Sequence, residues 1–410
     1  MEQPLGPLAH LKVLDLSRIL AGPWAAQLLG DYGADVTKIE RPGTGDDTRS
    51  WGPPWTPNAE GEDTGNAAYF LCANRNKRSV TIDFTRPEGQ DLLHRLAADS
   101  DVVIENFKLG GLAPYRLDYA SLAAINPRLV YCSITGFGQT GPYAPRAGYD
   151  FLIQGMGGLM SITGRADTEP GAGPQKVGVA LTDVLTGLYA TTAILAAIAH
   201  RDRTGQGQHI DLSLLDVQIA ALANQAQNYL VTGTSPVRMG NAHPSIVPYQ
   251  DFPTADGAMI IACGNDTQFA RLAAAAGHSE WATDQRFVTN SARVENRAAF
   301  IAAFTPVSVA RTTAAWIATL EAAGVPCGPI NTLEDVFNDP HVQARGARIT
   351  MPHASGAEIA LVANPVRFGA TPATYRHAPP LLGADTDAVL QDRLGLTKAE
   401  VADLRDRKLV

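Results

Sequence analysis

One carboxylate stands at the start of a long apolar segment and could act as a nucleophile. Asp183 precedes apolar residues from Leu185 to Ile198 that recur at helical spacing, with alanines between them. A helix that is apolar nearly all round is predicted to be buried, and a buried carboxylate needs its charge stabilised. The N–H groups at the helix N-terminus, with Thr182 as a possible N-cap, would keep it ionised. The pattern therefore predicts covalent catalysis by Asp183, or an aspartate that only caps a helix.

A turn-rich segment near residue 240 supplies two further candidates. Gly240 could let the backbone approach a ligand closely, because glycine has no side chain in the way. His243 could serve as a base or as a hydrogen-bond donor, although a histidine with no role beyond the turn fits the pattern equally well.

Basic residues gather near the ends of the first predicted strands. Ligands of parallel sheets bind at the carboxyl ends of the strands, so such a cluster would suit a phosphorylated ligand such as a nucleotide or CoA. A solvated surface is the alternative for each of them. The cluster comprises Arg41, Arg49, Arg75, Lys77, Arg78, Arg86 and Lys108.

Strands and helices alternate in the first half of the chain, which predicts an α/β fold with a doubly wound, Rossmann-like large domain. We predict this domain over residues 1–208, a linker over 209–235 that begins with a strand, and a smaller α+β domain over 236–330. The predicted strands of the first half are Lys12–Leu16, Val36–Glu40, Ser79–Asp83, Asp101–Glu105 and Leu129–Ile134. The long loop from Arg41 to about Ala68 is of a length that usually serves function.

The composition excludes several classes of protein. The 410 residues carry a net charge of -8, which argues against nucleic acid as the main partner. The four cysteines lie far apart and the nine histidines are scattered, so we expect no metal site and no disulfide framework. Met1–Leu5 does not resemble a signal peptide and no long uninterrupted apolar run is present, so we expect a cytoplasmic enzyme with no membrane partner.

A glycine motif invites a different interpretation. Gly136–Gly141 matches GxGxxG and follows a predicted strand. Pro145 would interrupt the helix that should come next, and no acidic residue ends a strand about 20 residues further on. The motif therefore does not predict a nicotinamide or flavin site.

Several segments together resemble the class III CoA-transferases, the family of formyl-CoA and carnitine CoA-transferases. The matching segments are Val13–Leu16 with Ala21–Pro23, Lys38–Gly43, Asn74–Ser79, Glu105–Phe107, Ser133–Gly138, Gly148–Asp150, Thr182–Asp183 with Gly187, Val325–Pro329 and Pro379–Gly383. Within the family, the succinyl-CoA:glutarate (dicarboxylate) CoA-transferases are most similar. The segments that carry this similarity are Gly45–Arg49, Trp51–Pro54, Gly240–His243, Ser245–Gln250, Gly264–Asn265 and Gln268–Phe269.

The resemblance implies an obligate homodimer of interlocked chains, in which residues 331–410 return to the large domain. It implies that Asp183 is the catalytic residue, that CoA is a co-substrate, and that no cofactor is permanently bound. The implied CoA contacts, with Arg86 added from the basic cluster, are Leu20, Ala21, Arg41, Ile82, Arg86, Asn106, Phe107 and Leu214. Two family residues differ here: a glutamine is replaced by Leu20, and a CoA-binding arginine falls on Pro114, near Arg116.

The implied reaction moves CoA from an acyl-CoA such as succinyl-CoA to a dicarboxylic acid such as glutarate, through an aspartyl-CoA thioester. Tyr149 and Asp150 would border the thioester, Gly240 could screen the intermediate from water, and His243 belongs to the same substrate-binding turn. Arg49 is a candidate partner for the distal carboxylate of the acid, or else an ordinary surface arginine.

Two other functions fit parts of the pattern. A 2-methylacyl-CoA racemase would need a base on each side of the α-carbon, and the related racemases carry a histidine where this chain has Tyr149. A CoA-binding protein without catalysis would have no need of Asp183. A racemisation assay compared with a CoA-exchange assay separates the three.

Overall fold

The computed structural model describes residues 6–410, so the segment Met1–Leu5, from which the absence of a signal peptide was predicted, lies outside the described residues. The strands are β1 (Lys12–Asp15), β2 (Asp35–Glu40), β3 (Trp55–Pro57), β4 (Asp63–Ala67), β5 (Lys77–Thr81), β6 (Val102–Glu105), β7 (Val130–Thr135), β8 (His209–Ser213), β9 (Tyr249–Pro253), β10 (Ala258–Ala262), β11 (Cys327–Pro329), β12 (Arg348–Pro352) and β13 (Glu358–Val362).

The helices complete the described chain. They are α1 (Ala21–Asp31), α2 (Ala68–Leu71), α3 (Pro87–Ala98), α4 (Tyr119–Ile125), α5 (Asp150–Met156), α6 (Leu159–Ile162), α7 (Leu181–Thr204), α8 (Leu214–Ala221), α9 (Ala223–Thr232), α10 (Asp266–Ala275), α11 (Asn290–Glu295), α12 (Arg297–Ser308), α13 (Thr313–Ala322), α14 (Leu333–Asn338), α15 (Pro340–Ala344), α16 (Thr386–Leu394) and α17 (Lys398–Asp406).

A six-stranded parallel sheet organises the first part of the chain. Its spatial order is β5-β2-β1-β6-β7-β8, and every neighbouring pair is parallel. The chain moves outward from β1 in one direction and then returns to continue from β6 in the other. This order confirms the predicted α/β fold, and it places a crevice at the carboxyl ends of β1 and β6, where the order reverses.

The two faces of the sheet belong to separate cores because side chains alternate along each strand. On β1, Val13 packs with residues of α1 and α7, whereas Leu14 packs with residues of α3, α16 and α17. Both residues are fully buried. Strands covered on both faces read as continuous apolar runs, which is why the sequence pattern located them.

Helix α7 is only partly buried within the chain, contrary to the prediction of burial on all sides. Leu188, Tyr189 and Leu195 remain exposed, while Ala190 and Ile194 pack in the core. Among residues 6–410, α7 is the helix whose length and hydropathy would suffice to cross a membrane, and α12 with α13 would do so only as one span bent by 113°. Half of the most apolar window of α7 is buried in the protein, so core packing accounts for much of its apolar character.

Two compact units make up the chain. The larger unit contains the parallel sheet and comprises the described residues up to Leu159, Val177–Gly233 and Gln343–Val410. The smaller unit comprises Met160–Lys176 and Thr234–Val342. It contains the antiparallel sheet β11-β10-β9 and a core rich in aromatic side chains, among them Phe300 and Trp316.

The prediction of a linker over residues 209–235 is wrong. Strand β8, which starts at His209, pairs with β7 over its whole length and is the sixth strand of the parallel sheet. The predicted small domain also lacked residues 160–176, which belong to the smaller unit.

The C-terminal segment packs in the larger unit. The N–H of Asp385 donates to the carbonyl of Ser79 at 2.9 Å, so this segment is joined to the edge strand β5.

Candidate active site

Asp183 lies in a cavity at the point where the strand order of the sheet reverses. The walls are the turn after β1, the loop after β6, the loop after β7 and the segment before α5. We call it the Asp183 cavity; its volume is about 350 Å³, within the range of small-molecule sites. Its lining includes Arg18, Ile19, Leu20, Ala21, Asn106, Phe107, Lys108, Arg146, Tyr149, Asp183 and Leu214.

A second cavity adjoins the first. We call it the Arg41 cavity; it has a volume of about 700 Å³ and lies among the loops after β2 and β5. Arg18 and Phe107 line both cavities, and Arg41 and Ile82 line the second. The two together could therefore hold an elongated ligand, with one end at Asp183 and the other beside an exposed arginine.

Burial changes the acidity of Asp183. Its residue is 8% exposed, and burial together with the nearby Asp150 carboxylate raises the pKa of Asp183 to about 7. Among residues 6–410, no group donates a hydrogen bond to the Asp183 carboxylate, so no such bond offsets the loss of water there. At neutral pH the group is therefore divided between the acid and the carboxylate.

The prediction that Thr182 is the N-cap of α7 is wrong. The N-cap position is Ala180, and the Thr182 hydroxyl donates to Oε1 of Gln218 at 2.6 Å. The backbone N–H groups of Thr182 and Asp183 point instead to Oδ1 of Asp150, at 2.8 and 3.4 Å. The helix N-terminus thus stabilises the charge of Asp150, while Asp183 stands beside it without a donor.

The acidity of Asp183 predicts a pH dependence. Only the carboxylate form can attack a thioester, so kcat/KM should rise with pH up to about 7 and level off above it. Between pH 6 and pH 8 the ionised fraction of such a group rises about tenfold. Replacing Asp150 by asparagine removes a negative neighbour and should move the midpoint to lower pH. Steady-state rates at fixed ionic strength measure the pH profile of kcat/KM for the wild type and for Asp150→Asn. A wild-type kcat/KM that does not change from about pH 5.5 to 8.5 would contradict the assignment of Asp183 as the attacking group.

A close approach between two helices places Asp183 against α1. Gly187 lies one turn beyond Asp183 on α7, and a Cβ there would come within 2.9 Å of both the Ala21 carbonyl oxygen and the Trp24 side chain. Real Cβ atoms rarely come so near, so glycine lets α7 touch the first turn of α1. Asp183 and the turn that precedes α1 therefore share one cavity.

Arg49 does not lie at this site. Its guanidinium is buried, donates to both oxygens of Glu40 at 2.8 and 2.7 Å, and donates to the carbonyl of Pro380 at 3.1 Å. The guanidinium also lies over the Phe70 ring, 3.7 Å from its centroid. Its role as partner of the substrate carboxylate is contradicted, because its bonds are taken up by the protein.

Most of the predicted basic cluster is structural as well. Lys77 is fully buried and paired with Asp15 at 2.9 Å, and Arg75 is paired with Asp31 at 2.6 Å. Burial lowers the pKa of Lys77 to about 8 in spite of the attraction of Asp15. Arg86 donates to the carbonyl of Arg407 and lines neither cavity, so its assignment to CoA finds no geometric basis.

The remaining predicted residues fall into two groups. Leu20, Ala21, Asn106, Phe107, Leu214 and Tyr149 line the Asp183 cavity, and Arg41 and Ile82 line the Arg41 cavity. Gly240 and His243 belong to the smaller unit. There, Gly240 adopts a φ of +62°, which favours glycine, and Nδ1 of His243 accepts the N–H of Ser245 at 3.0 Å.

Sequence reasoning missed two cations of the Asp183 cavity, Arg18 and Arg146. Arg18 follows β1 directly, and Arg146 precedes the Gly148–Asp150 motif by two residues, so position relative to strand and motif could have indicated both. Pro114 and Arg116, which stand near the position of the family arginine, line neither cavity. Within residues 6–410, no group of three or more His, Cys, Asp or Glu is arranged to hold a metal ion.

Comparison with known proteins identifies the family. The model of "CoA-transferase family III" matches residues 8–386. The chain is 50% identical to a succinate–glutarate CoA-transferase of Agrobacterium fabrum, covering 94% of this chain and 95% of the relative. It is 42% identical to the succinyl-CoA:glutarate CoA-transferase of Mus musculus, covering 97% and 89%.

A solved structure agrees with these sequence matches. The crystal structure of a CAIB/BAIF family protein from Brucella suis superposes with a TM-score of 0.83 at 53% identity, covering 95% of this chain and all of that one. With a buried carboxylate in a cavity at the switch point of its sheet, and a family match over most of its length, this chain belongs to CoA-transferase family III.

Proposed function

We propose that the protein transfers CoA from succinyl-CoA to glutarate or a similar dicarboxylic acid. The observation that carries the proposal is the buried Asp183 carboxylate, which lines a cavity together with the three cations Arg18, Lys108 and Arg146. The names of the two relatives, both at 42% identity or more, support the pair of acids.

Asp183 would act as the nucleophile of a double displacement. Its carboxylate attacks the thioester carbonyl, the carbon–sulfur bond breaks, and a mixed anhydride and the CoA thiolate form. The thiolate then attacks the aspartyl carbonyl, which releases the donor acid and leaves an aspartyl-CoA thioester. The acceptor carboxylate attacks this thioester, and the thiolate attacks the new acyl group and frees Asp183. Charges balance at each step, so no net proton transfer is needed.

Arg146 is our candidate for binding the distal carboxylate of the acid. Its guanidinium lies over the Tyr143 ring at 4.6 Å and near the Phe137 ring at 5.2 Å from the centroids. Among residues 6–410, no carboxylate lies within ion-pair distance of it, whereas Arg18 in the same cavity is paired with Asp47 at 2.9 Å. A guanidinium held by aromatic rings and free of an acidic partner suits a carboxylate ligand.

An acceptor screen with succinyl-CoA as donor tests the function. We expect glutarate to exceed butyrate by about two- to fivefold in kcat/KM, since an ion pair with the exposed Arg146 contributes up to about 1 kcal/mol and about 1.4 kcal/mol is one decade. Arg146→Gln should remove most of this preference, whereas Lys108→Gln, at another cation of the same cavity, should keep it. Equal use of glutarate and butyrate by the wild type would contradict the dicarboxylate function. A preference that survives Arg146→Gln would contradict only the residue.

The same protein samples separate transfer from isomerisation. A racemase exchanges the α-proton of a branched acyl-CoA with solvent, which a CoA-transferase has no need to do. We expect CoA exchange without incorporation of deuterium into 2-methylacyl-CoA. Incorporation at a rate comparable to exchange would favour the isomerase.

We further propose that the protein is an obligate homodimer. Large apolar side chains remain exposed on two helices of the larger unit: Leu188, Tyr189 and Leu195 on α7, and Leu230 and Val231 at the end of α9. Soluble proteins rarely expose such surface unless a partner covers it. Sedimentation at nanomolar concentration should therefore show a dimer and no folded monomer, and a folded monomer would refute the proposal.

A further inference from the structure

The turn between β1 and α1 holds a residue in an unfavourable backbone conformation. Ile19 has a φ of +73°, in the left-handed region that β-branched residues avoid because the side chain crowds the backbone. Such a residue persists only where surrounding groups hold it, and such positions concentrate at functional sites. Ile19 must therefore be held in place by contacts from neighbouring elements.

Asn106 holds the turn from the side of β6. Its amide Nδ2 donates to the carbonyl of Arg18 at 2.7 Å, and its Oδ1 accepts the N–H of the same residue at 2.9 Å. Both polar atoms of the side chain are thus bonded to the backbone of one residue, next to Ile19. The loop that carries Asn106 is itself fixed, because the Glu105 carboxylate accepts the N–H of Phe107 at 2.8 Å.

Asp46 holds the turn from the side of β2. The N–H of Ile19 points between its two oxygens, at 3.2 and 3.3 Å. Asp46 is anchored in turn by the fully buried Lys38, whose Nζ lies 2.9 Å away, and by the N–H of Thr48 at 3.0 Å. Burial raises the pKa of Asp46, but Lys38 and Thr48 outweigh it and lower the value to about 2, so Asp46 stays charged. We call Asn106 and Asp46 together the clamp of the Ile19 turn.

The turn that they hold is a wall of the Asp183 cavity. Ile19, Leu20 and Ala21 line this cavity together with Asp183. Ala21 is also the residue that the close approach at Gly187 brings against α7. A relaxed Ile19 would shift the backbone that faces the nucleophile, without removing any group that reacts.

We propose that Asn106 is a positioning residue that, with Asp46, holds the strained Ile19 turn against the Asp183 cavity. This differs from the CoA contact that the family resemblance implies for Asn106, since the side-chain amide is bonded to Arg18. The inference rests on the CoA-transfer function proposed above. Displacement of a cavity wall by about 1 Å can lower turnover by about 100-fold. Loss of the Asn106 side chain should therefore lower kcat.

Asn106→Ala tests the proposal. We expect kcat to fall by about 10- to 100-fold, with the Kd for CoA within about twofold of the wild type. Asn126→Ala is the matched control, because the Asn126 amide also donates to backbone carbonyls, those of Ala97 and Ser100, but lines neither cavity. Its activity should be unchanged. Asn106→Asp, which keeps the acceptor for the Arg18 N–H, should lie between alanine and wild type and serves if the alanine variant does not fold.

Relief of the backbone strain supplies a second readout. Glycine adopts a φ of +73° freely, so in Ile19→Gly the turn needs less support from Asn106. The double variant Ile19→Gly/Asn106→Ala should therefore lose less activity relative to Ile19→Gly than Asn106→Ala loses relative to wild type. A double-mutant cycle measures this coupling.

Three results would overturn the proposal. One is weaker CoA binding with unchanged kcat in Asn106→Ala, which would make Asn106 a CoA contact. Another is strict additivity in the cycle with Ile19→Gly. The third is a crystal structure of Asn106→Ala with Ile19 unmoved and full turnover. A wild-type protein that transfers CoA between no pair of acids would instead contradict the proposed function, while the Ile19 conformation in the variant still tests the clamp.

Discussion

Asp183→Ala is expected to abolish CoA transfer, with a loss in kcat of at least about 10³-fold, the scale on which enzymes respond to removal of a covalent nucleophile. Of the residues that the structure describes, Asp183 supplies the only carboxylate in the lining of its cavity. The nearby Asp150 already accepts from the N–H groups of α7 and from the Gln154 amide at 2.7 Å. A neighbouring acid therefore has no free geometry in which to replace it. Exchange of label between succinate and succinyl-CoA measures the loss.

The variant should fold as well as the wild type. The Asp183 carboxylate receives no hydrogen bond within residues 6–410 and lies beside Asp150, so its removal takes away an unfavourable burial. Thermal unfolding and binding of CoA should be nearly unchanged. Borohydride or hydroxylamine should modify Asp183 in wild-type protein incubated with acyl-CoA and should leave the variant unmodified. Turnover retained by Asp183→Ala would refute the covalent mechanism.

Arg49→Gln is expected to destabilise the fold by about 3–5 kcal/mol while leaving the preference for dicarboxylates unchanged. The substitution leaves the Glu40 carboxylate buried, with the N–H of Asp46 and the Ser79 hydroxyl as its remaining donors and Lys38 as the nearby positive charge. It also breaks the bonds to the Pro380 carbonyl. The loss of one member of a buried pair is severe because the other charge is then poorly compensated. Urea unfolding measures the change.

An exposed ion pair provides the control. Arg405 pairs with Asp387 at 2.6 Å, but both side chains are about half exposed. Arg405→Gln should therefore change stability by less than about 1 kcal/mol. If Arg49→Gln were as stable as wild type and used glutarate and butyrate equally, the structural assignment of Arg49 would be wrong and its earlier role as substrate partner would return.

The sequence by itself determined the strands of the large sheet and the existence of α7, and it singled out Asp183 as the candidate nucleophile. These features depend on local patterns: β1, β6 and β7 are short, mainly apolar segments between turns, β2, β5 and β8 carry β-branched or apolar residues among polar ones, and Asp183 lies at the start of a long apolar helix. Side-chain periodicity is a property of consecutive residues, so a single sequence suffices to detect it. The family motifs then assigned a role to Asp183.

The tertiary structure alone decided which charges are free and which are occupied. Three hydrogen bonds join residues that are far apart in the sequence. Arg49 and Pro380 are separated by 331 positions, Asn106 and Arg18 by 88, and Asp150 and the Thr182 N–H at the start of α7 by 32. Such partners become neighbours only when the order of the strands brings loops together at one edge of the sheet. The spacing of apolar residues within one segment carries no information about that order. For this reason the sequence pattern predicted ligand contacts for Arg49 and Arg86, whose guanidinium groups bond to the protein, and did not indicate Arg146 in the Asp183 cavity. It also predicted that the N–H groups of the α7 N-terminus stabilise Asp183, whereas they donate to Asp150.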